Sequence, residues 1–206
     1  RAFPECLRGH DDRLRQAVTL ELTVNGDRRR ADPAPGETLL DVLRSHFGLL
    51  SPKRGCTPLG QCGSCLVLLD GEPQVACTVP AESLNGRTVL TVEGLPGPDR
   101  ARFAEAFAAA SAVQCGFCLP GVVLRAHHLL EQNAQPSRAE IAGALDAHLC
   151  RCTGYIRILD AIERVAELRR GEPPAEAPDA LHAGGVGARV ERYEARGQVL
   201  GTRPFV

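Results

Sequence analysis

The sequence predicts an α+β fold in which a small domain of strands with one helix precedes an all-α domain of four helices. Strand-like alternation at residues 18–24 and two hairpin-favouring dipeptides indicate β-structure in the first half. Beyond residue 99 the apolar residues recur at helical spacing, after a stretch of glycine and proline at 94–98. The predicted divisions are an N-terminal extension (1–17), the α+β domain (18–94), the helical domain (95–170), and a linker with the candidate start of a further domain (171–206).

The first domain is predicted to contain two hairpins, one helix and a closing strand. Asn25-Gly26 and Asp70-Gly71 favour the tight turns of the hairpins. Thr38 can cap a helix over residues 39–47, whose apolar side chains share one face. Arginine and aspartate in the second strand suit the edge of a sheet. The predicted strands are residues 18–24, 28–32, 66–69, 74–78 and 88–92.

The second domain is predicted to be a bundle of four helices. Pro120 suits the first turn of a helix, because its missing N–H is not needed there. Ser137 and Glu140 have the spacing of a capping box, in which each side chain accepts a hydrogen bond from the other residue's backbone. The predicted helices are residues 100–112, 120–130, 137–149 and 158–170.

Composition excludes several classes of function. The chain has 206 residues, a net charge of −1 and 4% aromatic residues, so it lacks the basic, aromatic surface of a nucleic-acid-binding protein. It has neither an apolar run near the roughly 18 residues of a membrane span nor a secretory signal. Methionine is absent even at position 1, so we expect a processed, trimmed or incomplete N-terminus. Nine cysteines in such a chain favour ligand sets over disulfides and predict a cytoplasmic protein.

Four cysteines form a first ligand set in and just after a glycine-rich loop, residues 53–64. An iron–sulfur cluster needs four converging thiolates, and a tight loop can turn three successive side chains inward. Glycines allow such a loop to wrap closely and to direct N–H groups at sulfur. The fourth cysteine sits at the end of the second hairpin, which folds back toward the loop. The set comprises Cys56, Cys62, Cys65 and Cys77.

A second set consists of two short pairs at predicted helix ends. Cys115 and Cys118 lie between the first and second helices, and Cys150 and Cys152 lie between the third and fourth. Both pairs can therefore meet at one end of the bundle. The two sets use eight of the nine cysteines and fit two [2Fe–2S] clusters. Cys6, isolated near the N-terminus, is expected to be a free thiol.

Other interpretations of the cysteines stay open at this point. The second set alone fits structural zinc about as well as iron, although Cys-x-Cys strains a tetrahedral zinc site. Cys115 and Cys118 alone have thioredoxin-like spacing, but no βαβ pattern surrounds them. Buried, inert cysteines are a third interpretation, which the tight clustering disfavours.

Five stretches around the two sets form a recognisable pattern. They are KRGC at 53–56, QCGSC at 61–65, TVEGL at 91–95, VQCGFCLPG at 113–121 and HLCRCTGY at 148–155. Together they resemble the iron–sulfur part of the xanthine oxidase family of molybdenum hydroxylases, over about residues 18–168. Leu119 and His148 depart from the threonine and asparagine common there, and neither is a ligand position. We expect His148 to be a cation at a helix C-terminus.

The resemblance implies a β-grasp ferredoxin-like domain followed by the four-helix domain, each with one [2Fe–2S] cluster. It implies that electrons leave a molybdenum–pterin cofactor held by a large subunit or fused domain. They pass through the helical-domain cluster and then the β-grasp cluster to flavin or an external acceptor. By the same resemblance, Gln114 hydrogen-bonds the pterin and Cys152 lies beside its amino group. A flavin-binding subunit is a further candidate partner, while catalytic residues and substrate selection belong to the large subunit.

The end of the chain raises one further hypothesis. Residues 192–206 resemble the opening of the family's molybdenum-binding subunit, so the chain is interpreted as the front of a fused polypeptide. The alternative is a disordered tail on a separate small subunit. Two other functions compete: a free-standing ferredoxin-like carrier, which would not need a pterin-facing Gln114, and a zinc-stabilised interaction module.

Overall fold

A computed structural model of the chain describes residues 19–172 and 192–203. The whole predicted extension, including Cys6, lies outside these residues, as does most of the stretch from 171 to 206. The strands are β1 (Leu20–Val24), β2 (Asp27–Ala31), β3 (Leu66–Leu69), β4 (Glu72–Val75) and β5 (Thr88–Leu90). The helices are α1 (Leu39–Asp41, continued by a π-helical segment, Val42–His46), α2 (Gly97–Ala109), α3 (Leu119–Gln132), α4 (Arg138–Ala144), α5 (Ile156–Arg169) and α6 (Ala195–Val199). None of the helices in the described ranges is both long and apolar enough to span a membrane.

The strands form one mixed sheet in the order β2-β1-β5-β3-β4. β1 pairs in parallel with β5, and the other neighbours are antiparallel. The two predicted turns are present, since Asn25 and Gly26 have φ of 54° and 90°, and Asp70 and Gly71 have φ of 51° and 88°. Positive φ at both central residues is what a two-residue hairpin of this hand requires. The α+β class and the charged edge strand are confirmed.

Two predicted helix starts are confirmed by their caps. The Thr38 side chain caps α1, and Asp41 completes a capping box by accepting the Thr38 N–H at 2.8 Å. Ser137 and Glu140 form the predicted box at α4, where Glu140 accepts the Ser137 N–H at 2.7 Å. These caps satisfy backbone donors that the first turn of a helix leaves unpaired.

Three predicted boundaries are wrong, each because a distant contact redirects the chain. β4 begins at Glu72 and ends at Val75, and Cys77 lies in a 3₁₀ turn (Ala76–Thr78) where the Ala76 N–H donates to the Cys65 carbonyl. Residues 94–98, whose glycine and proline content predicts a linker between the domains, begin at the end of a 3₁₀ turn (Val92–Gly94) against the Asn25 side chain, and α2 starts within them at Gly97. α4 ends at Ala144 rather than near residue 149.

Strand β3 belongs to both hydrophobic cores. Leu66 and Leu68 pack into the core of the helices, whereas Val67 and Leu69 pack into the core of the sheet and α1. Successive side chains of a strand point to opposite faces, so one continuous apolar run of four buried residues can serve both cores. The two halves of the chain are therefore joined by a shared strand as well as by the backbone.

An ion-pair network joins three helices of the bundle. Arg169 on α5 donates to Asp99 at the start of α2 at 2.7 Å and to Glu131 on α3 at 2.8 Å. Burial lowers the pKa of His127, and its neutral ring can accept from Arg169 through Nδ1 at 2.7 Å. The guanidinium of Arg169 balances the negative charge of the two carboxylates, and its hydrogen bonds connect α5 to α2 and α3.

Replacing Leu68 by alanine tests the shared strand. Leu68 is 5% exposed and faces the helical core, so the free energy of unfolding should fall by about 2–5 kcal/mol. Denaturant unfolding followed by circular dichroism measures the change. Ile156→Ala is the matched control, because Ile156 is 65% exposed and should change stability by about 0.5 kcal/mol or less. Equal effects of the two variants would contradict the shared core.

Candidate iron–sulfur sites

The first set converges where the glycine-rich loop meets β3 and the turn after β4. The N–H groups of Gln61 and Cys62 donate to Cys56 Sγ at 3.2 and 3.3 Å. Burial acts to raise the pKa of the Cys62 thiol, but hydrogen bonds with Ser64 and Cys56 together outweigh burial and lower that pKa. The turn after β4 carries Cys77 to within hydrogen-bond reach of Cys65. All four sulfurs thus face one region, and backbone donors already point at sulfur.

The second set converges at one end of the bundle. Cys152 Sγ lies 3.6 Å from Cys115 Sγ, and Cys118 and Cys150 are within hydrogen-bond reach of each other. Each cysteine of the first pair therefore faces one cysteine of the second pair: Cys115 faces Cys152, and Cys118 faces Cys150.

Two residues within the matched motif hold the second pair in place, and sequence reasoning assigned neither a role. Thr153 Oγ1 lies 3.1 Å from Cys150 Sγ, and its hydrogen bonds lower the pKa of that thiol against the raising effect of burial. Tyr155 has a strained φ of 69°; its hydroxyl accepts the Cys150 N–H at 2.8 Å and donates to the His148 carbonyl at 2.9 Å. In the sequence, the only indication of these roles is that both residues follow closely after Cys150.

The loops of the two sets are in direct contact. The Leu149 N–H donates to the Cys62 carbonyl at 3.0 Å, which explains why the chain leaves α4 early. Gly63 lies against residues 147 and 148, and the first residues of α3 approach it at Gly121 with no space for a side chain. A cavity of about 330 Å³ lies between the sets and is lined by cysteines of both. The two candidate sites are therefore neighbours in one junction.

Exposure differs between the two sets. Cys62, Cys65 and Cys77 are buried, whereas Cys115 and Cys152 are exposed. Gln114 is exposed at the same edge, and its Nε2 donates to the Cys152 carbonyl at 2.9 Å. The structure thus brings the two residues that the family resemblance assigns to the pterin into contact with each other.

The prediction for His148 is wrong. α4 ends four residues earlier, and the imidazole is 3% exposed and packs against Gly63. Burial lowers its pKa to about 4, so the ring is neutral near pH 7. His148 fills the junction between the two loops instead of balancing a helix dipole.

The chemistry of both donor sets fits thiolate-bound iron. Burial raises the pKa of Cys65 to about 12 and also raises that of Cys118, so these thiols resist ionisation without a cation nearby. Metal binding removes the proton and supplies the missing positive charge. Folding of these loops and binding of the metal should therefore be coupled.

Comparison with known proteins decides between iron and zinc. Residues 22–89 match the 2Fe-2S iron-sulfur cluster binding domain, and residues 91–163 match the [2Fe-2S] binding domain. The nicotinate dehydrogenase small FeS subunit of Eubacterium barkeri is 40% identical, over 73% of this chain and 96% of that protein. The chain belongs to the iron–sulfur components of the molybdenum hydroxylases. It is an electron-transfer component of an oxidoreductase, with two [2Fe–2S]-binding domains.

Solved structures of this family share the fold. The aldehyde oxidoreductase of Desulfovibrio desulfuricans superposes with a TM-score of 0.80 and 36% identity, over 91% of this chain and 21% of that one. Quinoline 2-oxidoreductase of Pseudomonas putida 86 gives 0.67 and 38%, over 76% of this chain and 98% of that one. The chain thus spans about a fifth of the aldehyde oxidoreductase. The β-grasp and helical-domain classes are confirmed, and these comparisons give no support to a free-standing carrier.

Two helical glycines offer a matched test of the junction between the loops. A methyl group at Gly121 would overlap the Gly63 carbonyl oxygen, whereas one at Gly143 meets nothing within 4 Å. We expect Gly121→Ala to lower the free energy of unfolding by about 1–3 kcal/mol and to reduce bound iron. Gly143→Ala should raise stability by about 1 kcal/mol or less, because alanine favours the helix. Denaturant unfolding and iron analysis measure both; wild-type iron and stability in Gly121→Ala would contradict the close approach.

Proposed function

We propose that Cys56, Cys62, Cys65 and Cys77 hold one [2Fe–2S] cluster in a domain of residues 18–94. The second cluster is held by the remaining set, within residues 95–170: Cys115, Cys118, Cys150 and Cys152. The observation that carries this proposal is the convergence of each set of sulfurs, with backbone N–H groups aimed at Cys56 Sγ. When bound, each cluster accepts and releases one electron. Donors to sulfur stabilise the more negative reduced state, and burial keeps water away.

The second site is the proposed entry point for electrons. Exposure of Cys115, Cys152 and Gln114 on one edge supports contact between this edge and a molybdenum–pterin cofactor held by a partner. Gln114, anchored by the Cys152 carbonyl, would position that edge for the pterin. The first site, more deeply buried, would pass electrons outward to flavin or an external acceptor.

The hydrogen bond between the loops supports a direct route between the sites. Leu149 precedes the ligand Cys150, and its N–H donates to the carbonyl of Cys62, a ligand of the other set. One hydrogen bond therefore connects the two ligand-bearing segments. Electrons need not cross a solvent gap between the domains.

The proposed partners are a molybdenum-binding large subunit or fused domain and a flavin-binding subunit. Leu149 and Ile156 are exposed large apolar residues close in sequence to the second set, and they suit a protein contact rather than solvent. The aldehyde oxidoreductase covers more of this chain than the separate quinoline oxidoreductase chain does, 91% against 76%. That difference supports the fused arrangement. Ligand sets made of cysteine thiols, which stay reduced in the cytoplasm, support a cytoplasmic location.

Cysteine variants test the ligand assignment. The purified chain should contain about four iron atoms and give two distinct electron paramagnetic resonance (EPR) signals on reduction. Cys56→Ser and Cys115→Ser should each remove a different signal and leave about two iron atoms. Cys6→Ser is the matched control and should keep both signals. Colourless protein loaded with zinc, or loss of a signal in Cys6→Ser, would contradict the assignment.

Molybdenum content tests the proposed partner. The assembly isolated from its native source should contain about one molybdenum for every four iron atoms. Gln114→Ala should weaken retention of molybdenum while both cluster signals persist, because Gln114 is proposed to bind the pterin and not the iron. Gln135→Ala, another exposed glutamine, is the control and should retain molybdenum. Isolation with both clusters and no molybdenum would favour the free-standing carrier.

A further inference from the structure

The C-terminal segment, residues 192–203, packs against the helical domain on α2 and α3. Gln198, at 4% exposure, is the most deeply buried polar residue in this segment. A Cβ atom at Gly116 would lie 2.6 Å from the Gln198 Cβ atom, so Gln198 rests directly on the backbone between Cys115 and Cys118. Gly116 has φ of 81°, and its missing side chain makes this contact possible.

The other end of the segment reaches the loop that leads into the first set. Gly201 has φ of 70°, and a Cβ there would lie 2.8 Å from Ser51 Cα and 3.0 Å from Pro120 Cγ. Ser51 is itself fixed, because its N–H and hydroxyl both donate to Glu93. The segment therefore spans from the turn of the second set to the approach of the first.

The side chain of Gln198 is buried at an electrostatic cost. Among the described residues, its Oε1 atom has no hydrogen-bond partner. Buried amide oxygens are nearly always paired, and an exception calls for a reason. The contacts give one reason: the aliphatic part of the side chain packs against Gly116, and this packing keeps the amide group buried.

We propose that residues 192–203 act as an internal clamp that holds the Cys115–Cys118 turn against the rest of the site. Gln198 is the positioning residue of this clamp. It contacts the turn at Gly116 and excludes water from that side, while Gly201 anchors the segment at Ser51. By limiting the access of water, the clamp would tune the reduction potential of a cluster held by the second set. This inference rests on the proposed function, because it requires a cluster on Cys115, Cys118, Cys150 and Cys152.

Gln198→Ala in the full chain tests the clamp. The variant keeps the Cβ contact but removes the amide group and the Cγ atom, which a Cβ at Gly116 would meet at 3.3 Å. Space therefore opens beside the Cys115–Cys118 turn, so water should reach the second cluster and shift its potential. We expect at least a threefold change in its one-electron reduction equilibrium, about 28 mV at about 59 mV per tenfold change. Its EPR line shape should also change, while the first cluster keeps its wild-type potential and line shape. EPR-monitored redox titration of the purified protein measures both clusters separately.

Two further variants keep the test decisive. Gln198→Met retains the aliphatic contact with Gly116, so it should restore the wild-type signal. Tyr193→Ala, on the same segment but 84% exposed, should change neither cluster. Wild-type behaviour of Gln198→Ala, or equal shifts in both clusters, would overturn the clamp. Absence of a second signal in the wild-type protein would instead overturn the proposed function, and the clamp with it.

Discussion

The close approach of two backbone segments, at Gly63 and Gly121, is the constraint on which the arrangement of the sites depends. The carbonyl of Gly63 lies against the first turn of α3, and the opposite side of Gly63 faces His148. Only a chain without side chains at these points brings the two cysteine loops into contact. The Leu149–Cys62 hydrogen bond, the cavity lined by both sets and the early end of α4 all follow from this contact.

Burial in the same junction accounts for the pKa shifts of the residues around the two cysteine sets. Burial raises the pKa of Cys65 and Cys118, so the thiolate form of each set is unfavourable until a cation is present. It also lowers the pKa of His148, whose neutral ring adds no competing charge. Thr153 and Ser64 oppose the burial at Cys150 and Cys62 by hydrogen bonds to sulfur. In this low-dielectric junction a bound metal would supply the positive charge that the thiolates need.

The junction is supported by packing that the two halves of the chain share. β3 serves both cores, and the Arg169 network fastens α2, α3 and α5, which flank the second set. Movement of one loop relative to the other would disrupt packing on both sides of β3. The separation of the two cysteine sets is therefore fixed by the packing of β3, which begins directly after Cys65, and of the helices that flank the second set.

The sequence by itself determined the elements whose causes are local. The hairpin turns at Asn25-Gly26 and Asp70-Gly71, the Ser137–Glu140 capping box, the two cysteine sets and the order of the domains could all be predicted. The turns and the capping box each depend on residues within a few positions of one another. The cysteine sets and the domain order follow from the order and spacing of motifs along the chain. The assignment of ligands to clusters stays a prediction, although each set does converge.

Only the tertiary structure decided the features that distant residues impose. The end of α4, the turn that carries Cys77, the burial of His148 and the docking of Gln198 on Gly116 arise from contacts between segments far apart in the chain. Helical periodicity predicts α4 to continue, but one hydrogen bond to Cys62 and the packing of Gly63 draw the chain away. Local propensity amounts to tenths of a kcal/mol per residue, so such contacts override it.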